Sequence, residues 1–345
     1  MALIHGGNLI QASAEFGIPP AEWIDVSTGI SPWSWPVPPV PESVWQRLPE
    51  DGDGLLETAA GYYGCDAAQL LALPGSQHGV RHLPALWPAA PVALPLWGYR
   101  EHQHAWQLAG HEPVFYRDGA HLRALVAQGA VRHVLVINPN NPSADVLDSK
   151  VLRHLADELA ESNGQLVVDE AFMDPHPEHS LISSRPANTV ILRSLGKFFG
   201  LAGIRLGFAV AEPALVARLA QDMNPWAVSH PARWIGGRAL ADRNWHGAQR
   251  RRLEDAAQRW QAVLAALFPE LDWRRAAHFI SAETEWAEAQ GIYRAAARRG
   301  LLMRLLGPLE DRGMLRLGLP APQHWQRALD VLHQSRGNCT NLPVS

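Results

Sequence analysis

The chain predicts an α/β fold, with a mostly parallel sheet in a large domain and a smaller α+β domain after it. Three observations carry this expectation. The first is alternation. Short apolar runs at Val92–Pro95, His133–Asn138, Gln165–Asp169, Thr189–Arg193 and Leu206–Val210 are separated by helix-like stretches at Gln77–Trp87, Tyr99–Ala109, Leu147–Ser162 and Pro213–Asp222. Strands this apolar, spaced by amphipathic helices, belong to a sheet covered on both faces. The second is a change of character. Pro231 to Leu267 is a long Arg- and Ala-rich helical stretch, followed by strand-like pieces at His278–Ala282 and Met314–Leu319 and helices at Thr284–Arg299 and Gln323–His333. The third is the proline-rich start, with Pro19, Pro20, Pro32, Pro36, Pro38, Pro39 and Pro41, which reads as an extended arm. The expected division is an arm over residues 1–40, a large domain over 41–228 and a small domain over 229–345.

Composition narrows the function. At 345 residues the chain is long enough to bury a large core. A formal net charge of -4 leaves no basic surplus for nucleic acid or an anionic membrane surface. The apolar stretch from Leu70 to Trp97 is broken by Pro74, Pro84, Pro88, Pro91, Pro95 and Arg81, so no membrane span is expected. Cys65 and Cys339 make no disulfide framework and MALIHGG has no signal-peptide pattern, which together predict a cytoplasmic protein. The pairs His102/His104 and His176/His179 lack a supporting ligand pattern such as H-E-x-x-H, and no metal is expected.

The chemistry concentrates in LRSLGKFFGLAGIRLGFAV. Lys197 stands among apolar neighbours after a strand, where burial lowers a lysine's pKa and leaves a free amine able to condense with an aldehyde. Ser194 and Arg205 suit a phosphate ester, one offering a hydroxyl and the other a guanidinium fork. An aldehyde that carries a phosphate points to pyridoxal 5′-phosphate; the competing reading is a surface lysine near an unrelated arginine. Ligands of open α/β sheets gather at the carboxyl ends of the strands, and the polar residues there form a matching set. Asp169 can pair with a protonated pyridine nitrogen or, alternatively, cap a helix. Asn141, in Asn138-Pro139-Asn140-Asn141-Pro142, can reach the cofactor's phenolic oxygen or simply form a turn. Gly75, Ser76 and Gln77 precede a helix whose N–H groups suit phosphate. Tyr99 can stack on the pyridine or pack in the core. His102, one helical turn on, can hydrogen-bond Asp169 or sit as a core histidine.

With this set in order along the chain, the sequence resembles fold-type I pyridoxal-phosphate enzymes of the aspartate aminotransferase superfamily. The eight-residue step from Lys197 to Arg205 is the specific match. Within the superfamily it is most similar to the L-threonine-O-3-phosphate decarboxylases of cobalamin biosynthesis, with the histidinol-phosphate aminotransferases as close relatives. His5-Gly6-Gly7-Asn8, the segment Ile24–Pro32, and the Tyr99-x-x-His102 pair carry that narrower likeness. The resemblance implies a phosphorylated amino acid as substrate, Lys197 and Asp169 as catalytic residues, and a homodimer. It also implies that Arg316 binds the substrate carboxylate and that His5 and Arg304 are candidates for its phosphate. An arginine on a small-domain strand is otherwise an ordinary surface charge. Transamination of histidinol phosphate is the rival activity, and a non-catalytic cofactor-binding module the rival of another class.

Four positions depart from the family pattern. Ser31 stands for an asparagine, and Leu48 for a tyrosine that reaches the partner subunit's cofactor phosphate. Phe172 stands where aminotransferases place a tyrosine on the phenolic oxygen, and Ala144 stands for a glycine.

Overall fold

A computed structural model describes residues 5–221 and 223–339, with side chains described through residue 336. The chain folds into two compact units. Of the described residues, one unit holds those of 34–141 and 145–250, and the other holds 5–33, 142–144 and 251–339. Among the described residues, no helix is long and apolar enough to cross a membrane.

The N-terminal segment is a packed element of the smaller unit, correcting the expected arm over 1–40. Its helix α1 (Leu9–Phe16) is capped by Asn8 Oδ1, which accepts from Gln11 N at 3.2 Å, and ends at Gly17 in the left-handed region. Ala12 and Trp23 join Ala297 and Leu302 in one apolar cluster. Beyond it, β1 (Ile24–Asp25) pairs in parallel with Leu301 and Leu302, far along the chain.

The larger unit is built on seven strands: β2 (Leu70–Leu73), β3 (Pro91–Pro95), β4 (Glu112–Tyr116), β5 (His133–Ile137), β6 (Gln165–Asp169), β7 (Thr189–Ser194) and β8 (Gly207–Val210). Their order is β2-β8-β7-β6-β5-β3-β4. Only the pairings of β8, with β7 and with β2, are antiparallel. The expected mostly parallel sheet is therefore present, with one reversed strand. Helices α2 (Glu42–Gln46), α3 (Leu55–Tyr63), α4 (Ser76–His82), α5 (Arg100–Leu108), α6 (Gly119–Ala127), α7 (Ser149–Glu161), α8 (Pro213–Gln221) and α9 (His230–Ala241) complete this unit. Leu73, Leu94, Leu135, Val167 and Leu192 form its core with Trp106.

The boundary expected at 228/229 lies instead at 250/251. The reason is α9, where Gly236 lets the helix approach so closely that a Cβ there would come within 2.2 Å of Leu206. The helical stretch expected as one piece from Pro231 is two, because Asp242 leaves the helix (φ -83°, ψ 76°) and caps the next one, accepting from Trp245 N at 3.1 Å. That next helix, α10 (Arg243–Leu267), runs through the boundary.

The smaller unit continues with β9 (Arg274–Ala276), β10 (Phe279–Glu285), α11 (Trp286–Ala297), β11 (Leu301–Leu302), β12 (Arg304–Leu309), β13 (Arg312–Gly318) and α12 (Trp325–Cys339). Its antiparallel sheet has the order β12-β13-β10-β9, and β11 is the partner of β1.

One buried group of the larger unit makes stability sensitive to acid. His133, 1% exposed at the start of β5, packs against Trp87, Trp106 and His111. Burial, reinforced by His111, lowers its pKa from 6.5 to about 4. The folded state thus resists a proton that the unfolded chain accepts. Stability from this group is complete above pH 6.5 and is lost as pH falls toward 4, with a slope approaching one proton. Thermal melts across that range should show the decline, and His133→Phe, which keeps a ring, should flatten it. An identical pH profile in the variant would refute the assignment.

Candidate active site

Strand register brings distant residues onto one edge of the larger sheet. Leu73 and Ser194 both pair with Gly207, Asp169 pairs with Leu192, and Ile137 pairs with Asp169. Adjacent strands lie about 4.8 Å apart. Reading across the edge, the residues that follow or precede these positions are Gly75-Ser76-Gln77, Arg205, Ser194 to Lys197, Asp169 to Phe172, and Asn138 to Asn141. Because β8 is reversed, its entry, not its exit, lies on this edge, which is why Arg205 joins the set from the N-terminal side of a strand.

The 75–77 turn is held tightly against β8. Gly75 has φ 77°, and a Cβ there would lie 2.6 Å from Arg205 Nη2. A Cβ on Gly207 would lie 2.4 Å from Ser76 N. Both positions therefore require glycine, one for its backbone and its clearance, the other for clearance alone. Arg205 itself occupies the left-handed region at φ 53°, and its Nη1 donates to Ala202 O at 3.1 Å. A non-glycine residue held there stores strain of the kind found at ligand sites. Ser194 is 8% exposed, and its Oγ accepts from Gly196 N at 3.2 Å.

Asp169 is 6% exposed and fixed at both oxygens. Oδ2 lies 2.9 Å from His102 Nε2, and Oδ1 accepts from Ala171 N at 3.0 Å. His102 reaches it from α5, where Tyr99 is the residue before the first helical turn. Tyr99 Oη donates to Gln77 Oε1 at 3.1 Å, joining two residues singled out separately in the sequence. Lys197 is half-buried in the turn after β7, its Nζ 5.2 Å from the centroid of the buried Phe172 ring. Asn138 anchors the Asn-Pro turn by exchanging hydrogen bonds with Leu147, at 2.9 and 3.0 Å, and Asn140 Nδ2 donates to Trp97 O at 2.7 Å. Asn141 is half-buried and follows these anchored neighbours in the chain. Ala144 holds φ 64°, the conformation the expected glycine would adopt without strain.

The donor set fits pyridoxal 5′-phosphate. A primary amine lies over an aromatic ring, a doubly held carboxylate sits at a buried strand end, and a glycine-cleared turn meets a serine and an arginine. Among the described residues, no group of three or more His, Cys, Asp or Glu side chains could hold a metal ion.

In the smaller unit, the candidate substrate arginines are cross-strand neighbours. Arg304 on β12 pairs directly with Arg316 on β13, which also pairs with Ser281 on β10. Directly opposed residues share a face, and two like charges so placed are destabilising without an anion. Arg316 is 7% exposed and its Nη2 donates to Ser27 O at 2.5 Å. Ser27 Oγ in turn accepts from Gly7 N at 2.7 Å and donates to Asp25 Oδ1 at 2.6 Å. The segment that carries the exposed His5 is thereby tied to the residue that holds Arg316. Ser31, in place of the family's asparagine, still closes its turn, since its Oγ accepts from Trp33 N at 3.1 Å. Leu48 is 59% exposed.

Sequence reasoning misses Ser27, Ser281 and the buried charges Glu170, Asp174 and Arg193 beside the predicted residues. The Ile24–Pro32 segment and the runs Asp169-Glu170 and Arg193-Ser194 are the available signals.

A family model for aminotransferase class I and II matches residues 51–298. The chain is 40% identical to a threonine-phosphate decarboxylase from Pseudomonas aeruginosa, over 95% of this chain and 96% of that protein. Among solved structures, a histidinol-phosphate aminotransferase from Sinorhizobium meliloti in complex with pyridoxal-5′-phosphate superposes with a TM-score of 0.80. It is 20% identical and covers 98% of this chain and 99% of its own. An L-threonine-O-3-phosphate decarboxylase from Porphyromonas gingivalis gives 0.67 at 18% identity, over 89% and 100% of the two chains. Both structural likenesses speak to the fold.

Proposed function

The chain belongs to the aminotransferase class I and II family, and we propose that it is a pyridoxal-phosphate-dependent lyase that decarboxylates L-threonine O-3-phosphate to (R)-1-amino-2-propanol O-2-phosphate, a step of cobalamin biosynthesis. The observation that carries this reading is the near full-length likeness to a threonine-phosphate decarboxylase in a chain that keeps Lys197, Asp169 and Arg205 on one sheet edge.

When bound, pyridoxal phosphate supplies an electron sink for the pair left behind as CO2 departs. The chain's own residues hold and aim it. Ser194, Arg205 and the 75–77 turn would bind its phosphate, and Lys197 would hold its aldehyde carbon. Asp169, oriented by His102, would keep a proton on the ring nitrogen. Tyr99 would pack against the ring. Asn141 would hydrogen-bond the phenolic oxygen alone, because Phe172 has no hydroxyl. Lys197 Nζ would supply the proton to the substrate Cα. Arg316 takes the substrate carboxylate, and Arg304 and His5 its phosphate, a division that suits a doubly anionic substrate on opposed arginines.

Purified protein supplied with threonine phosphate should release CO2, with no keto-acid formed from added amino donors. Charge-assisted hydrogen bonds contribute roughly 1.5–3 kcal/mol each, so Arg316→Ala should raise KM by about 10- to 100-fold. The visible absorbance of the bound cofactor should not change. An unaltered KM would remove Arg316 from substrate binding. Faster turnover of histidinol phosphate with 2-oxoglutarate would move the chain to the aminotransferase reading.

The protein is further read as a cytoplasmic homodimer. Val37, Trp45, Leu48 and Trp226 of the larger unit expose apolar surface that supports association. Sedimentation equilibrium should give twice the chain mass, and a fully active monomer would contradict it.

A further inference from the structure

A buried ion triad lies directly behind the candidate cofactor residues and belongs to none of the roles above. Arg193 Nη1 donates to Glu170 Oε2 at 2.8 Å, and Nη2 donates to Asp174 Oδ1 at 2.6 Å. The three residues are 1%, 0% and 0% exposed. Glu170 also accepts from Ser180 Oγ at 2.6 Å and Leu181 N at 2.8 Å. Asp174 accepts from Tyr62 Oη at 3.0 Å, and its carbonyl accepts from Arg250 Nε at 3.0 Å. The Arg193 guanidinium also stacks 4.8 Å from the centroid of Tyr63.

Such a triad is a poor source of stability. Desolvating three charges costs several kcal/mol each, and apolar replacements of the same volume commonly match or exceed a buried ion network. Burial does push the Glu170 carboxyl up, against the opposing pull of Arg193. With all three groups ionised the triad carries one excess negative charge. Its location explains its presence better. Asp169 pairs with Leu192, and Glu170 N donates to Leu192 O at 2.9 Å, so Glu170 and Arg193 are the next residues along neighbouring strands. Side chains alternate along a strand. Glu170 and Arg193 therefore point to one side of the sheet while Asp169 and Ser194 point to the other. Asp174 lies two residues after Phe172, and Lys197 four residues after Arg193.

We propose that Glu170, Arg193 and Asp174 are positioning residues. By clamping the end of β6, the loop after it and the end of β7, they set the separation between Asp169 and the Ser194–Lys197 turn. This rests on the cofactor-binding reading of the previous subsection and deepens it. An aromatic or aliphatic contact would hold the strands together but would let the two ends slide. A planar guanidinium shared by two fixed carboxylates does not.

The test uses the holoenzyme with Arg193→Lys, Asp174→Asn and the milder Tyr62→Phe. Arg193→Lys keeps the charge and loses the fork. A misplacement of about 1 Å at a catalytic group costs on the order of a hundredfold, so kcat for threonine phosphate should fall about 10- to 100-fold in Arg193→Lys. KM should stay within about twofold, because none of these variants alters a candidate substrate arginine. Two readouts do not depend on the substrate. In Asp174→Asn the pH midpoint of the bound cofactor's visible absorbance should move down by about one unit, since the triad's excess negative charge has been removed. The rate at which added pyridoxal phosphate becomes reducible onto Lys197 by borohydride should also fall in each variant. If Arg193→Lys does not fold, Asp174→Asn and Tyr62→Phe decide the matter, with the smaller effects in the tyrosine variant. Folded variants that keep the wild-type midpoint, capture rate and kcat, and lose only melting temperature, would overturn the proposal. If the wild type ignores threonine phosphate, the substrate reading fails while the midpoint and capture rate still decide this one.

Discussion

Lys197→Ala should lose CO2 release from threonine phosphate by about 10^4-fold or more, the upper range for removing an acid–base group alone. The amine has two tasks in the proposed reaction, holding the cofactor carbon and returning a proton to Cα, and no other lysine is available to inherit them. Lys150 is the only other lysine in the chain and lies in the first turn of α7. The variant should still bind pyridoxal phosphate through Ser194, Arg205 and Asp169, but reversibly. Borohydride reduction followed by mass measurement of the intact chain checks this, because the wild type gains the cofactor's mass and the variant does not. Covalent cofactor on the reduced Lys197→Ala protein would show that the reactive amine lies elsewhere.

Asp169→Asn should cost on the order of 3 kcal/mol of barrier, about a hundredfold in rate, with the fold retained. Asparagine fills the same volume and can still accept from Ala171 N, so the bond that shapes the start of the loop survives. The negative charge that holds a proton on the ring nitrogen does not survive. Replacing His102 by glutamine should have a smaller effect in the same direction, since it leaves the charge in place and only loosens its aim. Single-turnover CO2 release separates the two variants. Near-normal turnover in Asp169→Asn would reduce this carboxylate to a loop cap.

The parts of the fold that are legible in the sequence are those buried on both faces. The central strands β5, β6 and β7 are apolar runs because helices cover both sides of the sheet there, and the expected ranges differ from the observed ones by a residue at most. The edge strand β4 is not legible. Its sequence, Glu-Pro-Val-Phe-Tyr, is half solvated and interrupted by proline, which only an edge tolerates. Strand β12, with Gly307-Pro308 inside it, hides for the same reason. The N-terminal helix escapes notice although Asn8 and Gly17 mark both its ends, because the prolines after it outweigh them. In the candidate site, Lys197, Asp169 and Arg205 stand out because a charged side chain in an apolar run asks for a partner. The triad does not, since Glu170 and Arg193 are 23 residues apart and meet only through the register of β6 and β7. Likewise, nothing in the local sequence aligns Arg304 with Arg316. Antiparallel register does.

The reversed direction of β8 has a consequence for how this site can change. Lys197 and Arg205 hang from a single out-and-back excursion of the chain, closed by the pairing of Ser194 with Gly207. Their spacing is thus written into a short stretch of contiguous chain, whereas Asn141 and Asp169 are joined through the long crossover that carries α7 from β5 to β6. One extra residue between Phe198 and Leu206 would slide β8 by one position and turn its side chains to the opposite face. Gly207 would then no longer pass Ser76, and the arginine would leave its glycine-cleared berth. That crossover has loops on either side of α7 in which a change of length can be absorbed. A change of length is therefore better borne in the α7 crossover than along the short run that joins the amine to the guanidinium.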